Sequence, residues 1–252
     1  MPKTQVGTTY FNFIASHDGI GLRPAEGLLA QDEIDALVTT MQLFGGKISW
    51  READGGIPKA YEINIALVDA LSGTRRGKDD YTVERFLCAH AIMFGLEGLP
   101  GLYIHSLLGT ENDNKRLAHT GHNRSINRHR WQYQNLQSAI ASPDNQQFFI
   151  HKGIRVLLAL RKQQKAFHPN GDQFPLHLGE HLFGFVRESL DRQQQVVCIH
   201  NVTDWQQDVS LCELSLQSDF TWYELISQQT IDDLSATVTL QPYEVIWLTN
   251  QH

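Results

Sequence analysis

The sequence predicts an α/β chain that gives way, near residue 170, to a small antiparallel all-β domain. Three observations carry that reading. Short apolar runs at residues 11–15 and 99–105 alternate with longer stretches whose apolar residues recur at helical spacing. Glycine and proline break the junctions between them. Beyond residue 170 the pattern changes to short β runs divided by polar turns.

In order along the chain, Phe11-Asn12-Phe13-Ile14-Ala15 reads as a strand that breaks into His17-Asp18-Gly19-Ile20-Gly21. A strand end holds a carboxylate rigidly, and Gly19 and Gly21 let the backbone turn and leave room for a ligand. Asp32 opens a helix with Ile34, Leu37, Val38 and Met41 on one face, closed by Gly45-Gly46. Residues 47–60, with Asp54-Gly55-Gly56 and Pro58, read as a loop excursion. Thr82 starts a second helix through Val83, Phe86, Leu87, His90, Met93 and Phe94, and Gly98 ends it. Leu99-Pro100-Gly101-Leu102-Tyr103-Ile104-His105 has the composition of a buried parallel strand.

Residues 108–131 are polar and show neither period, so they predict a long loop, which in a compact domain is usually functional or disordered. A helix follows from Phe148 to Phe167, stopped by His168-Pro169. The β runs are 182–186, 196–199, 220–223 and 245–248, with Gln193-Gln194-Gln195 a polar turn. No internal repeat or low-complexity tract interrupts this plan.

Composition excludes several classes. Lys and Arg number 21 against 28 acids, a net charge of −7, which argues against nucleic acid as a partner. No stretch approaches the roughly 20 apolar residues of a membrane helix, and Met1-Pro2-Lys3-Thr4 leads into no signal-peptide core, so a cytoplasmic protein with no membrane partner is expected. Cys88, Cys198 and Cys212 are odd in number and lack a CxxC spacing, which predicts reduced, structural thiols. His119, His122 and His129 share one loop, but no cysteine or carboxylate nearby in sequence completes a tetrahedral set, so no metal is expected. No glycine-rich phosphate loop or GxSxG elbow occurs. No cofactor is expected.

The His17-Asp18 pair suits sugar chemistry. A carboxylate can steady an oxocarbenium-like transition state while an imidazole binds a hydroxyl. Read alone, the pair is more often a turn or capping aspartate beside a core histidine.

The run FNFIASHDGIGLRPAEGLL from Phe11 resembles the strand-seven motif of the α-amylase superfamily, glycoside hydrolase family 13, in the form of the sucrose phosphorylase subfamily. The resemblance continues through Tyr61-Glu62-Ile63-Asn64, LEGLPGLYIHSLLGTENDN at 96–114 and TGHNRSINRHRW at 120–131. After about residue 170 it thins, and returns in QPYEVIWL at 241–248. It implies that residues 1–170 form the last strands and helices of a partial (β/α)8 TIM barrel, and 171–252 the antiparallel domain. It also implies a retaining α-glucosyl phosphorylase that converts sucrose, sucrose 6-phosphate or glucosylglycerate and phosphate to glucose 1-phosphate.

By the same resemblance Asp18 is the transition-state-stabilising acid, and His17 binds sugar hydroxyls. Arg124 binds the glucosyl group, for which five fixed donors are well suited; otherwise it is a surface arginine. Tyr61 and Glu62 match a mobile acceptor-site loop, where an aromatic face stacks on sugar and an oxygen binds hydroxyls. Glu62 stands where some relatives have glutamine. Arg23, near Lys47 and Arg51 in the sequence, could receive an anionic acceptor such as glycerate, or be a solvated charge. Arg128 could serve the site or pair with an acid structurally.

The family's nucleophile and general acid belong to strands four and five, and nothing in this sequence resembles either. A retaining mechanism needs two carboxyl groups about 5–5.5 Å apart, so the isolated chain is expected to be inactive. Association as a homodimer, or with a complementary N-terminal half-barrel chain, would cover the apolar Phe11, Phe13, Leu102 and Ile104. The alternative is a non-catalytic carbohydrate-binding or structural remnant.

Overall fold

The computed structural model describes residues 4, 5, 7–52, 56 and 58–251. Met1-Pro2-Lys3 and Asp54-Gly55 of the expected turn lie outside the described residues. In chain order the structure forms β1 (Phe11–Asn12), β2 (Ile20–Gly21), α1 (Gln31–Leu43), β3 (Lys47–Glu52), β4 (Pro58–Asn64), α2 (Leu67–Ala70), β5 (Gly73–Thr74), β6 (Gly77–Lys78) and α3 (Thr82–Gly95). It continues with β7 (Leu99–Pro100), α4 (Ile104–Leu107), α5 (Asn114–Thr120), α6 (Tyr133–Ala141), α7 (Gln146–Gln163), β8 (Asp172–Leu176), β9 (Leu182–Glu188) and β10 (Gln195–Asn201). β11 (Gln207–Ser210), β12 (Trp222–Glu224), β13 (Gln229–Ile231), β14 (Thr237–Leu240) and β15 (Val245–Thr249) complete it. The chain divides into two compact units, one of Phe13–Phe86 with Leu102–Lys152, the other of Met1–Asn12, Leu87–Gly101 and Gly153–His252.

In the first unit α1 begins where Glu33 turns back to accept the Ala30 N–H at 2.8 Å, with Asp32 and Glu33 favoured by the positive end of the helix. It stops as expected at Gly45, whose φ of +94° is glycine territory. Ile34, Val38 and Met41 form one buried stripe that packs with Ile48, Ala60 and Ile63 of a three-stranded sheet ordered β2-β4-β3. Each such side chain is worth roughly 1.5–3 kcal/mol when fully buried, which ties helix and sheet into one core.

That sheet corrects the sequence reading. Residues 47–52 and 58–60 are strand rather than loop: β3 and β4 pair antiparallel from Lys47↔Asn64 to Glu52↔Pro58. The alternation Lys47-Ile48-Ser49-Trp50-Arg51 is a strand signal, but too short to compete with the Gly-Gly-x-Pro punctuation that follows it. Tyr61 and Glu62 therefore lie on a strand. The register shifts between Ser49 and Trp50, so that Ser49 faces Glu62, Trp50 faces Ala60 and Tyr61 is the extra, bulged residue. A bulge of this kind re-aims side chains locally.

The expected loop at 108–131 also carries structure. Asp113 caps α5 by accepting the Arg116 N–H at 2.8 Å, and Gly121 at φ +68° ends it. Both caps were readable as residues, but a seven-residue polar helix has no apolar stripe to announce it.

In the second unit β1 and β7 pair in parallel, Phe11 opposite Leu99 and Asn12 opposite Pro100. Each strand is only two residues long. Residues 99–105 are not the buried strand expected, since Leu99 is 47% exposed and α4 starts at Ile104. The C-terminal part follows the predicted runs closely. β9, β10 and β15 contain 182–186, 196–199 and 245–248, and β12 takes up the end of 220–223, within one antiparallel sheet ordered β13-β12-β15-β10-β9-β8. Its Val197, Ile199, Trp222, Ile246 and Leu248 pack with Val209, Leu211, Leu214 and Leu240 from the β11–β14 pair and its turn.

The three cysteines are free, Cys88 and Cys198 buried and Cys212 exposed. Burial pushes the Cys88 thiol up to about 12, as suits a structural thiol. Among the described residues no helix is long and apolar enough to cross a membrane.

Candidate functional site

Asp18 does not sit at a strand end, as the sequence suggested; it lies six residues past β1, in the turn entering β2. Its position comes from contacts made at long range. Gly19 has φ +124°, and a Cβ there would lie 2.3 Å from the carbonyl oxygen of Ile63, so only glycine fits against β4. Gly21 faces no such constraint. The Asn64 amide donates to the Asp18 carbonyl at 2.8 Å, and the Asn127 amide donates to the Ser16 carbonyl at 2.6 Å. Both asparagines are buried, so the Asp18 turn is held from two directions.

The side chain of Asp18 meets three cationic or polar groups at one oxygen. Its Oδ1 is 2.9 Å from Arg128 Nη2, 3.1 Å from Arg124 Nη1 and 3.2 Å from His17 Nε2. Arg128 also donates from Nε to the His17 carbonyl at 2.9 Å. Arg124, half-exposed, turns its other edge to Glu62: Nε reaches Oε1 at 3.1 Å and Nη2 reaches Oε2 at 2.9 Å. This is the two-pronged geometry that makes guanidinium–carboxylate pairs strong and oriented. The Glu62 hydrogen bond, with the charges of Glu62 and Asp18, pushes the Arg124 pKa up.

The structure thus brings together Asp18, His17, Arg124 and Glu62, with half-buried Tyr61 beside Glu62 on the bulge. It does not join Arg23 to them. Arg23 is exposed on a single 3-10 turn, next to Leu22, whose N–H donates to the Tyr61 carbonyl at 2.9 Å. Of the neighbouring cations, Arg51 is 3.0 Å from Glu26. Glu62 differs from the expected acceptor-loop residue: its side chain is 8% exposed and both its oxygens are occupied.

Sequence reasoning passed over Asn64 and Asn127 and left Arg128 open. Arg128 pairs with an acid, and the acid is Asp18. Tyr103 supports the same region by donating from its hydroxyl to the Asn127 carbonyl at 2.7 Å; burial pushes its phenol up, Asp18 adds to this and Arg128 opposes it. In the histidine-rich loop His129 lies 2.7 Å from Asp113. Among the described residues no group of three or more His, Cys, Asp or Glu is placed to hold a metal ion.

Chemically, the cluster offers one accessible carboxylate flanked by guanidinium donors, and a second carboxylate committed to orienting one of them. Such a set can bind a polyol and stabilise positive charge.

No protein-family profile matches the chain. Glucosylglycerate phosphorylase of Spirochaeta thermophila is 35% identical over 250 residues, which take in 96% of this chain and 42% of that protein. This chain belongs to the sucrose phosphorylase and glucosylglycerate phosphorylase subfamily of glycoside hydrolase family 13. The Escherichia coli glucosylglycerate phosphorylase is 33% identical, again over 96% of this chain and 41% of its own length. Sucrose phosphorylase of Agrobacterium vitis is 34% identical over 165 residues, 61% of this chain and 30% of that protein. The chain therefore spans about two-fifths of the curated relatives it matches best among these. In three dimensions it superposes on sucrose 6F-phosphate phosphorylase from Thermoanaerobacter thermosaccharolyticum with a TM-score of 0.64 at 19% identity, covering 92% of this chain and 40% of that one. At that identity the likeness speaks for the fold.

Proposed function

We propose that these residues form the C-terminal part of a retaining α-glucosyl phosphorylase, acting on glucosylglycerate and phosphate to give glucose 1-phosphate and glycerate. The observation that carries this reading is the Asp18–Arg124–Glu62 constellation, found in a chain whose glucosylglycerate phosphorylase relatives align over nearly its whole length. The sucrose phosphorylase alignment stops at 61% of the chain, which favours glucosylglycerate over sucrose. In this reading 1–170 belongs to a (β/α)8 barrel and 171–252 is the tail domain. The parallel pairing of β1 with β7 supports the barrel assignment, and the six-stranded antiparallel sheet after Asp172 supports the tail domain.

Asp18 stabilises the developing oxocarbenium charge, Arg124 and His17 bind glucosyl hydroxyls, Tyr61 stacks on sugar, and Arg23 receives the carboxylate of the acceptor. Glu62 cannot double as nucleophile, because both its oxygens are held by Arg124. The attacking carboxylate and the proton donor come from sequence outside these 252 residues, supplied in the same polypeptide or by a complementary one. The free thiols suit a cytoplasmic setting.

The test is to incubate the chain with glucosylglycerate and phosphate, alone and mixed with the unmatched part of the Spirochaeta thermophila relative, and to measure glucose 1-phosphate. Turnover is expected only in the mixture. Activity of the chain alone within a hundredfold of a typical roughly 10 s⁻¹ would overturn the split site. Failure of the mixture, with no binding of glucose, would leave a structural remnant.

A further inference from the structure

We propose that Glu62 is a positioning residue: it aims the Arg124 guanidinium at Asp18 and at the sugar, and makes no contact with the acceptor. The inference rests on the phosphorylase reading for the identity of the sugar, but its geometry stands apart from it. Glu62 accepts at Oε1 from Arg124 Nε (3.1 Å) and from the Asn64 amide, and at Oε2 from Arg124 Nη2 (2.9 Å). Arg124 then has Nη1 directed at Asp18 Oδ1, 3.1 Å away. Asn64 is itself oriented, because its amide oxygen accepts the Ser49 hydroxyl at 2.7 Å while its nitrogen also donates to the Asp18 carbonyl at 2.8 Å. Ser49 and Glu62 face each other across β3 and β4. The two ends of the guanidinium are thus bound to the paired strands β3 and β4 and to the Asp18 turn.

The chemistry of the contacts requires a carboxylate. Both Glu62 oxygens face N–H donors and neither faces an acceptor. Glutamine has the same shape, but whichever way its amide is flipped, an NH2 points at another N–H. An acceptor hydroxyl, by contrast, is served equally well by Glu or Gln, since a hydroxyl both donates and accepts. The Glu62→Gln variant therefore separates positioning from acceptor binding.

The first readout needs no sugar. The Arg124 Nε–H resonance, assigned by its loss in Arg124→Lys, should exchange with water at least about tenfold faster in Glu62→Gln, the scale of losing one charge-assisted hydrogen bond. Glu62→Asp, which keeps the charge on a shorter arm, should recover part of the protection and serves as the second variant if Glu62→Gln does not fold. Unchanged exchange in Glu62→Gln overturns the proposal. The second readout is the dissociation constant for glucose, measured by NMR titration in the wild type, Glu62→Gln, Arg124→Ala and the double variant. About a tenfold weakening by Glu62→Gln is expected, disappearing in the Arg124→Ala background. The same loss in both backgrounds would show that Glu62 acts independently of Arg124 and overturn the proposal. A wild-type chain that takes up no glucose would count against the phosphorylase reading, while the exchange measurement would still decide the positioning role.

Discussion

His200 should make this protein acid-labile above the pH at which its carboxylates titrate. The residue lies in β10 with no exposed surface, Nδ1 donates to the Phe183 carbonyl at 2.9 Å, and the ring stacks on Phe185 with centroids 5.7 Å apart. Nε2 is buried and finds no hydrogen-bond partner among the described residues. A second proton would put a charge in this interior, so burial pulls the pKa from 6.5 to about 4. At neutral pH the imidazole is uncharged in both folded and unfolded chains. As pH falls through 6.5 the unfolded chain binds a proton that the folded one refuses until about 4. The unfolded state then holds more protons, and stability falls as pH falls, over that window. At about 1.4 kcal/mol per unit the loss is about 3 kcal/mol. Urea unfolding of the wild type and His200→Gln at about pH 7 and about pH 4.5 measures it. The variant keeps a donor for Phe183 and should flatten the difference by about 2–3 kcal/mol. An equal pH dependence in both proteins would refute the reasoning.

In the reconstituted enzyme, Asp18→Asn should lower turnover by about 10²–10³, the range for removing a preorganised electrostatic group; full activity would sink the assignment. Arg23→Ala should weaken the reaction of glucosylglycerate and leave sucrose unchanged, because only the anionic acceptor loses a charged partner; equal loss on both would make Arg23 structural. Gly19→Ala forces a Cβ to 2.3 Å from the Ile63 carbonyl at a φ of +124°. It should cost at least about 1–3 kcal/mol in thermal or urea unfolding, and an unaltered midpoint would mean that the Asp18 turn has another conformation. Arg187 is fully buried and donates to the carbonyls of Gly95 at 2.7 Å and His168 at 2.8 Å. Arg187→Met should destabilise by about 1–3 kcal/mol, because it strips the Gly95 carbonyl of its donor, while the His168 carbonyl keeps only the Gly171 N–H, and a loss below about 1 kcal/mol would contradict that. Phe11 is 67% exposed and Leu99 47% on the β1–β7 pair. Association should therefore show in light scattering at about ten micromolar or above, and a sharp monomer that binds no hydrophobic dye would count against it.

The residues alone determined α1, α3 and four of the six strands of the C-terminal sheet, β9, β10, β12 and β15, while β8 and β13 came only with the structure. In each, an apolar stripe repeats often enough to name its period, and local chemistry such as Asp32 at the start of α1 or Gly45 after it names its ends. The family resemblance singled out Asp18, Arg124 and Glu62, through motifs that are contiguous in the sequence. Only the tertiary structure decided what those three do to one another. Arg124 reaches Glu62 across 62 positions, and Arg128 reaches Asp18 across 110. No window of sequence contains both partners. The paired strands β3 and β4 and the capped helix at 114–120 were hidden for a related reason: each is too short to repeat its pattern, and each gains its stability from packing and capping contacts. Glu62 shows the consequence most plainly. As a residue it is an acid in a sugar-site motif, free to meet any hydroxyl; once the bulged strand buries it against Arg124 and Asn64, both of its oxygens are committed to N–H donors of the protein.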